Sequence, residues 1–219
     1  KQPMDLFGEA LQAYSQGDRA KFYFKDNSGQ LFEHKLSRYF RKTSRLSKSE
    51  TRLTSLSYGD ILDVGCGTGN YIPLLVKQGK VMGIDISPRV IAVAKNNGCK
   101  NCKVADIFTF PTSKKYDTIT LLENNLGFGG NVDNTKKLLK KLSDLLKPEG
   151  QILTILLRVP DKKYVTVELR PVWKNKVGPK FGWINFNINF LADLCQQLGF
   201  KLKVLHGNQH SSLVKIVKN

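Results

Sequence analysis

Ile61-Leu62-Asp63-Val64-Gly65-Cys66-Gly67-Thr68-Gly69-Asn70 sets an acidic residue two positions ahead of three glycines that alternate with other residues. A short apolar run ends there, the chain turns tightly, and a helix is expected to follow. That is how a parallel sheet presents backbone amides to a nucleoside-bearing ligand. Glycine at these positions opens positive φ and lets a ligand approach the main chain to contact distance.

Outward from this loop, apolar strand and amphipathic helix alternate. The pattern predicts strands at 60–64, 80–84, 102–105, 116–122 and 150–158, and helices at 69–78, 87–97 and 132–146. Such alternation implies a mostly parallel sheet with helices on both faces, all strand C-termini on one side, and the ligand at that edge. A helix at 189–198 with Gly199 as its C-cap, and strands at 200–206 and 213–218, close the chain.

Two segments stand outside the alternation. Residues 1–57 read as a cap: a helical stripe through Leu6, Phe7, Ala10, Leu11 and Tyr14, a hairpin around Asp26-Asn27-Ser28-Gly29, and helical pieces at 37–41 and 47–56. The other is an insertion at 159–188, whose stretches 164–173 and 181–187 form a second hairpin. The domain reading is therefore a cap at 1–57 and a nucleotide-binding domain at 58–219, with the insertion covering the site.

Charge follows the same division. Of the net +17, residues 1–57 carry +5, 58–157 carry +4 and 158–219 carry +8, so the excess lies outside the nucleotide-binding stretch. An anionic substrate or nucleic acid would explain it. A solvated lysine surface is favoured, because 27 Lys stand against 8 Arg and Arg is the better bidentate phosphate reader. No run of about eighteen apolar residues predicts a membrane span, and no charged-then-apolar leader is seen, so a cytoplasmic location is expected. Cys99 and Cys102 form an isolated C-x-x-C without a second ligand pair, so no metal is expected and small packed thiols explain them.

The glycine spacing decides between ligands. A nicotinamide or flavin fingerprint needs G-x-G-x-x-G, and here the third glycine comes one place early, with Asn70 where that pattern wants Gly or Ala. Asp85 ends the next strand and suits a ribose diol, with Ile86 against the base. Asp106 follows the third strand and suits an exocyclic amino group. In this order and spacing, with Tyr116 to Leu122 as the fourth strand and Leu145 to Leu153 as the turn into the fifth, residues 58–158 resemble class I S-adenosylmethionine-dependent methyltransferases. Phe7-Gly8-Glu9-Ala10-Leu11, Tyr39-Phe40-Arg41 and Asn124-Asn125-Leu126-Gly127-Phe128-Gly129-Gly130-Asn131 resemble more narrowly a group of small prokaryotic methyltransferases. Where that group tends to have glycine, this chain has Glu123.

The resemblance implies an α/β Rossmann-like fold with a doubly wound seven-stranded sheet and S-adenosyl-L-methionine as cofactor. The cofactor residues it implies are Asp63, Gly65, Cys66, Gly67, Gly69, Asp85, Ile86, Asp106, Ile107, Leu122, Glu123 and Arg41. Tyr14, Tyr39, Asn124, Asn125, Trp173 and Trp183 are the expected substrate residues. Glu123 is the candidate base, or the holder of a substrate cation; His34, His206 and His210 qualify by residue type only and are expected on the surface. A small-molecule acceptor is favoured, because the fourth strand ends in Leu122-Glu123-Asn124-Asn125 rather than the Asn/Asp-Pro-Pro-Tyr of amino-group nucleic-acid enzymes, and no cysteine follows proline at a strand end. Open alternatives are an RNA or protein methyltransferase, a nicotinamide-dependent oxidoreductase and a non-catalytic cofactor-binding module.

Overall fold

A computed structural model describes residues 4–219. The N-terminal stripe forms α1 (Asp5–Ser15), followed by the hairpin β1 (Phe22–Asp26) and β2 (Leu31–Glu33). Asp26 Oδ1 closes that hairpin by accepting from the N–H groups of Ser28 and Gln30 at 2.9 Å each. A 3-10 turn at Leu36–Phe40 leads to α2 (Lys48–Leu56), which starts in a capping box between Ser47 and Glu50.

The core then alternates β3 (Gly59–Val64), α3 (Ile72–Leu75), β4 (Gly79–Asp85), α4 (Pro88–Asn96), β5 (Cys102–Val104), β6 (Tyr116–Leu121), α5 (Val132–Leu145) and β7 (Leu146–Leu157). After the insertion strands β8 (Tyr164–Trp173), β9 (Lys176–Val177) and β10 (Phe181–Phe186) come α6 (Ile188–Gln197), β11 (Phe200–Gly207) and β12 (Ser211–Lys218). Seven strands form one sheet in the order β11-β12-β7-β6-β3-β4-β5. Its central pairings are parallel, and β12 is antiparallel to both neighbours. The doubly wound sheet expected from the alternation is therefore present. β3 and β6 are buried along most of their length, Asp63, Thr118 and Thr120 included, because helices cover both faces.

Two local expectations are corrected. The helix expected at 69–78 is a single turn, Ile72–Leu75: Gly69, with φ 79°, delays its start, and Pro73 lies in its first turn, where no N–H is needed. The start of the fifth expected core strand, placed at 150, moves back to Leu146, which pairs with Tyr116 across an irregular register.

A larger correction concerns the roof. The cap hairpin and the insertion are not separate pieces: β10, β8, β1 and β2 form one antiparallel sheet, with Phe22 opposite Trp173 and Asp26 opposite Leu169. Beneath it Leu6, Phe7, Leu11, Phe22, Leu36 and Trp173 share a core with Val90 of α4, which fastens the roof to the nucleotide-binding half.

Cys99 and Cys102 are bonded to each other as a disulfide, where packed thiols were expected. Among the described residues no helix is long and apolar enough to cross a membrane.

Candidate active site

The glycine loop leaves β3 at the C-terminal edge of the sheet. Gly65 (φ 72°) and Gly67 (φ 56°) hold left-handed backbone. The N–H groups of Gly65 and Cys66 both donate to Ile84 O, at 2.8 and 3.0 Å, which folds the loop over the end of β4. From the other side Asn125 Nδ2 donates to the carbonyls of Val64 and Gly65, both at 3.1 Å. The loop is thus held rigidly between two strand ends.

Asp85 receives N–H donors from Gly67 (3.2 Å, on Oδ2) and Ser87 (3.0 Å, on Oδ1). Burial raises its carboxyl above the usual range, opposed by these backbone donors. A carboxylate offers about four lone-pair sites, so acceptor capacity remains. Asp63 lies behind the loop, 1% exposed. One oxygen accepts from Thr120 Oγ1 at 2.7 Å and the other has no partner. Burial pushes its carboxyl up to about 7, against the Thr120 hydrogen bond and helped by the charge of Asp85.

Two adjoining cavities open over this edge. The smaller, ≈ 250 Å³, is walled by Ile84, Ile86, Ala105, Asp106, Ile107 and Phe108. The larger, ≈ 610 Å³, runs over Gly65 to Thr68, Asn70 and Tyr71 and up to the cap sheet. Gly65, Asp85, Phe128, Phe181 and Trp183 border both. A Cβ on Gly65 would lie 2.5 Å from Phe128 Cζ and 2.6 Å from Asn125 Nδ2, so only glycine leaves this junction clear.

At one end of the larger cavity, Arg41 Nη2 meets Glu50 Oε1 at 2.5 Å and Glu123 Oε1 at 2.8 Å. The Tyr71 hydroxyl lies 2.6 Å from the first oxygen and 2.5 Å from the second, and Arg38 Nη2 holds the other oxygen of Glu123 at 2.7 Å. Burial opposes ionisation of Glu50, but hydrogen bonds from Tyr71, Ser47 and Arg41 win and bring its carboxyl to about 2. Two guanidiniums against two carboxylates leave this end electrically balanced. Glu123 and Asn124 reach it through left-handed backbone, φ 54° and 63°, a conformation costly for non-glycine residues and concentrated at functional sites. Close by, Asn70 Nδ2 is buried without an acceptor.

The other wall is aromatic. Phe7, Phe24, Phe181, Trp183 and Phe128 form an arc, with successive ring centroids 6.3, 5.5, 6.5 and 5.6 Å apart. His34 sits within it and was expected on the surface; its Nε2 lies 2.9 Å from the Tyr39 hydroxyl. Burial, helped by the Arg38 charge, lowers its imidazole to about 4. His210 does lie exposed, beside Gln209.

Of the expected cofactor residues, Gly65, Cys66, Gly67, Asp85, Leu122, Glu123 and Arg41 line the larger cavity, and Ile86, Asp106 and Ile107 the smaller. Asp63 lies behind the loop, and Gly69 faces Cys99 and Ala94. Of the substrate set, Tyr39, Asn124, Asn125 and Trp183 are on the walls. Tyr14 stacks on Phe40 and Arg19 instead, and Trp173 is buried in the cap core. Arg38, Glu50, Asn70 and Tyr71 are wall residues that were not singled out, and His34, a candidate by residue type only, joins them. Asn70 and Tyr71 were findable, since they follow the glycine loop directly.

A glycine loop, a ribose-type carboxylate on the next strand and an apolar slot beyond it, on this sheet order, are the fold and site of class I methyltransferases. A family model described as a methyltransferase domain matches residues 56–177, over half of the chain, and the chain belongs to that family. An uncharacterised protein of Methanocaldococcus jannaschii is 26% identical over 156 residues, 70% of this chain and 59% of that one. A ubiquinone biosynthesis O-methyltransferase of Coxiella burnetii is 31% identical over 116 residues, 49% of this chain and 47% of that one. The chain thus spans about half the length of these curated relatives. In fold it resembles an S-adenosylmethionine-dependent methyltransferase from Bacteroides fragilis, solved with S-adenosyl-L-homocysteine, at 24% identity and TM-score 0.89 over 99% of this chain and 95% of that one. The nicotinamide alternative falls with the family match.

Proposed function

We propose that the chain transfers a methyl group from S-adenosylmethionine to a small-molecule acceptor held between the glycine loop and the cap sheet. The observation that carries this reading is the pair of cavities joined at Gly65 and Asp85, one sized for an adenine and one with room for the rest of the donor and an acceptor. The residues fit that cofactor: a junction that only glycine clears, a carboxylate with acceptor sites left, and an orphaned donor on Asn70. Ile86 and Ile107 would flank the adenine, Asp106 its amino group, Asp85 the ribose hydroxyls, and Asn70 with Arg41 the amino-acid end.

When bound, the cofactor supplies an electrophilic methyl on a sulfonium ion. The protein's part is to orient the acceptor and exclude water, a contribution of up to ~7–11 kcal/mol in favourable cases. Rigid loop anchoring, the aromatic arc and the roof sheet serve those ends. A small acceptor is supported by the roof itself, which turns Phe181 and Trp183 into the cavity and buries Trp173, leaving the basic outer face without these rings for base stacking. The name of the Coxiella relative agrees with it.

Calorimetry with cofactor-free protein is expected to show binding of S-adenosylmethionine, lost in Asp85→Ala. Labelled donor incubated with fractionated cell extract should label the small-molecule fraction. Label in RNA or protein, with affinity falling steeply in salt, would replace the acceptor class; absence of donor binding by the wild type would end the reading.

A further inference from the structure

We infer that Tyr39 and His34 form a proton relay that takes the proton of an uncharged hydroxyl acceptor, which makes the reaction an O-methylation; this rests on the methyl-transfer reading above. Three observations lead there.

First, the pair is aimed at the reaction space. The Tyr39 ring lies 3.6 Å from the place a Gly67 Cβ would take, and its carbonyl accepts the Thr68 hydroxyl, so the residue is tied by backbone to the glycine loop. His34 hangs from the cap just after β2, and both residues line the larger cavity.

Second, the imidazole is available. His34 is packed edge-on against Phe7, Phe22 and Phe24, and the positive charge of Arg38 adds to the effect of burial, so it stays neutral at ordinary pH. Tyr39 faces Glu123, Arg38, Asp85 and Arg41; burial first, then Glu123, raises its phenol, so it keeps its proton until a partner replaces it. A hydroxyl that both accepts and donates, 2.9 Å from a neutral ring nitrogen, is a relay rather than a base in its own right.

Third, the charge of the cavity does not select a cationic acceptor. Glu50 and Glu123 are both held by Arg41, with Tyr71 on each and Arg38 on Glu123. An ammonium would find no free carboxylate there, whereas an uncharged phenol, with its ring, fits the aromatic arc.

The step balances. As the acceptor oxygen bonds to the methyl, the S–CH₃ bond breaks and its electron pair stays on sulfur. The acceptor O–H proton passes to Tyr39 Oη, whose own proton passes to His34 Nε2. The positive charge lost by the sulfonium donor thereby ends on the imidazolium, which releases its proton to water beside Arg38.

Two measurements test this. Nitrogen-15 histidine NMR of the cofactor-free protein, with His34 assigned by its loss in His34→Gln, should show Nε2 unprotonated and its signal displaced in Tyr39→Phe. A protonated Nε2, or no response to Tyr39→Phe, overturns the relay. Label transfer from donor to the small-molecule extract fraction should fall about 100-fold at pH 7 in either single variant and no further in the double, the scale of general acid–base catalysis. Donor affinity by calorimetry should stay within about threefold, and the deficit should shrink as pH rises and the acceptor ionises unaided. A purely structural role would leave the deficit independent of pH and is refuted by that slope. If the donor binds and the variants turn over like wild type, the relay fails alone; if wild type neither binds donor nor transfers label, both readings fail.

Discussion

The parallel sheet and the roof sheet are built on opposite plans. In the core, parallel neighbours are mostly consecutive strands, as where β3 pairs with β4 about twenty residues on, and only the β3–β6 pairing skips along the chain. In the roof, β1 pairs with β8, and Asn27 bonds to Glu168 across 141 positions. Local construction gave the donor half a sequence pattern that can be read along the chain. Remote construction made the acceptor half depend on a meeting that no local window displays. The difference teaches where specificity resides: the edge that holds the donor is set by short-range geometry, the wall that meets the acceptor by long-range assembly.

That comparison can be broken in several places. The largest effect is expected from Gly65→Ala, which forces a left-handed residue to carry a Cβ into Phe128; donor affinity should fall more than about 100-fold by calorimetry, with the roof undisturbed. Next, Leu62→Ala in the centre of the sheet should lower unfolding free energy by about 2–5 kcal/mol in urea titrations. Trp173→Ala should instead release the roof alone: hydrogen exchange is expected to speed up in 22–26 and 164–186 while 59–64 stays protected. Equal loss of protection in both sheets would show that they unfold as one unit.

A subtler effect is expected from pH. Folding raises the Asp63 carboxyl to about 7, so between about pH 4 and 7 the folded state keeps a proton that the unfolded chain has released. Stability from this group is therefore present at acid pH and declines as pH rises to 7. Asp63→Asn should flatten that decline relative to wild type in urea titrations at pH 5 and 7.5. The smallest effect belongs to the exposed roof tie: Glu168→Ala should move Tm by no more than about 1 °C, since exposed ion pairs contribute little.

How much was legible follows the same split. The glycine spacing, Asp85 and Asp106 were readable because each sits at a strand end and chemistry at a strand end has a fixed address. The helix after the loop was overread, since the apolar spacing from 69 to 78 is helical while the left-handed Gly69 delays its start and only Ile72–Leu75 is helical. Tyr14 and Trp173 were taken for substrate groups by ring type, but each is used up by packing within the cap. His34 was noticed by residue type but expected on the surface: what surrounds it comes from residues 7, 22, 24 and 39, and burial of this kind exists only after the roof has closed. Arg41 and Glu123 were each noticed, yet their shared clasp with Glu50 and Tyr71 is a tertiary fact.

The pairing of β1 with β8 also sets a timetable for the molecule's birth. At roughly 5–20 residues per second, the first strand emerges from the ribosome about 7–30 s before its partner does, long after a strand and helix of the core could have settled. During that interval the nascent chain has a finished glycine loop and an unfinished ceiling, with the rings of Phe22 and Phe24 still seeking cover. Nascent chains halted before residue 164 should therefore present these rings to holdase chaperones, and chains halted beyond 190 should not.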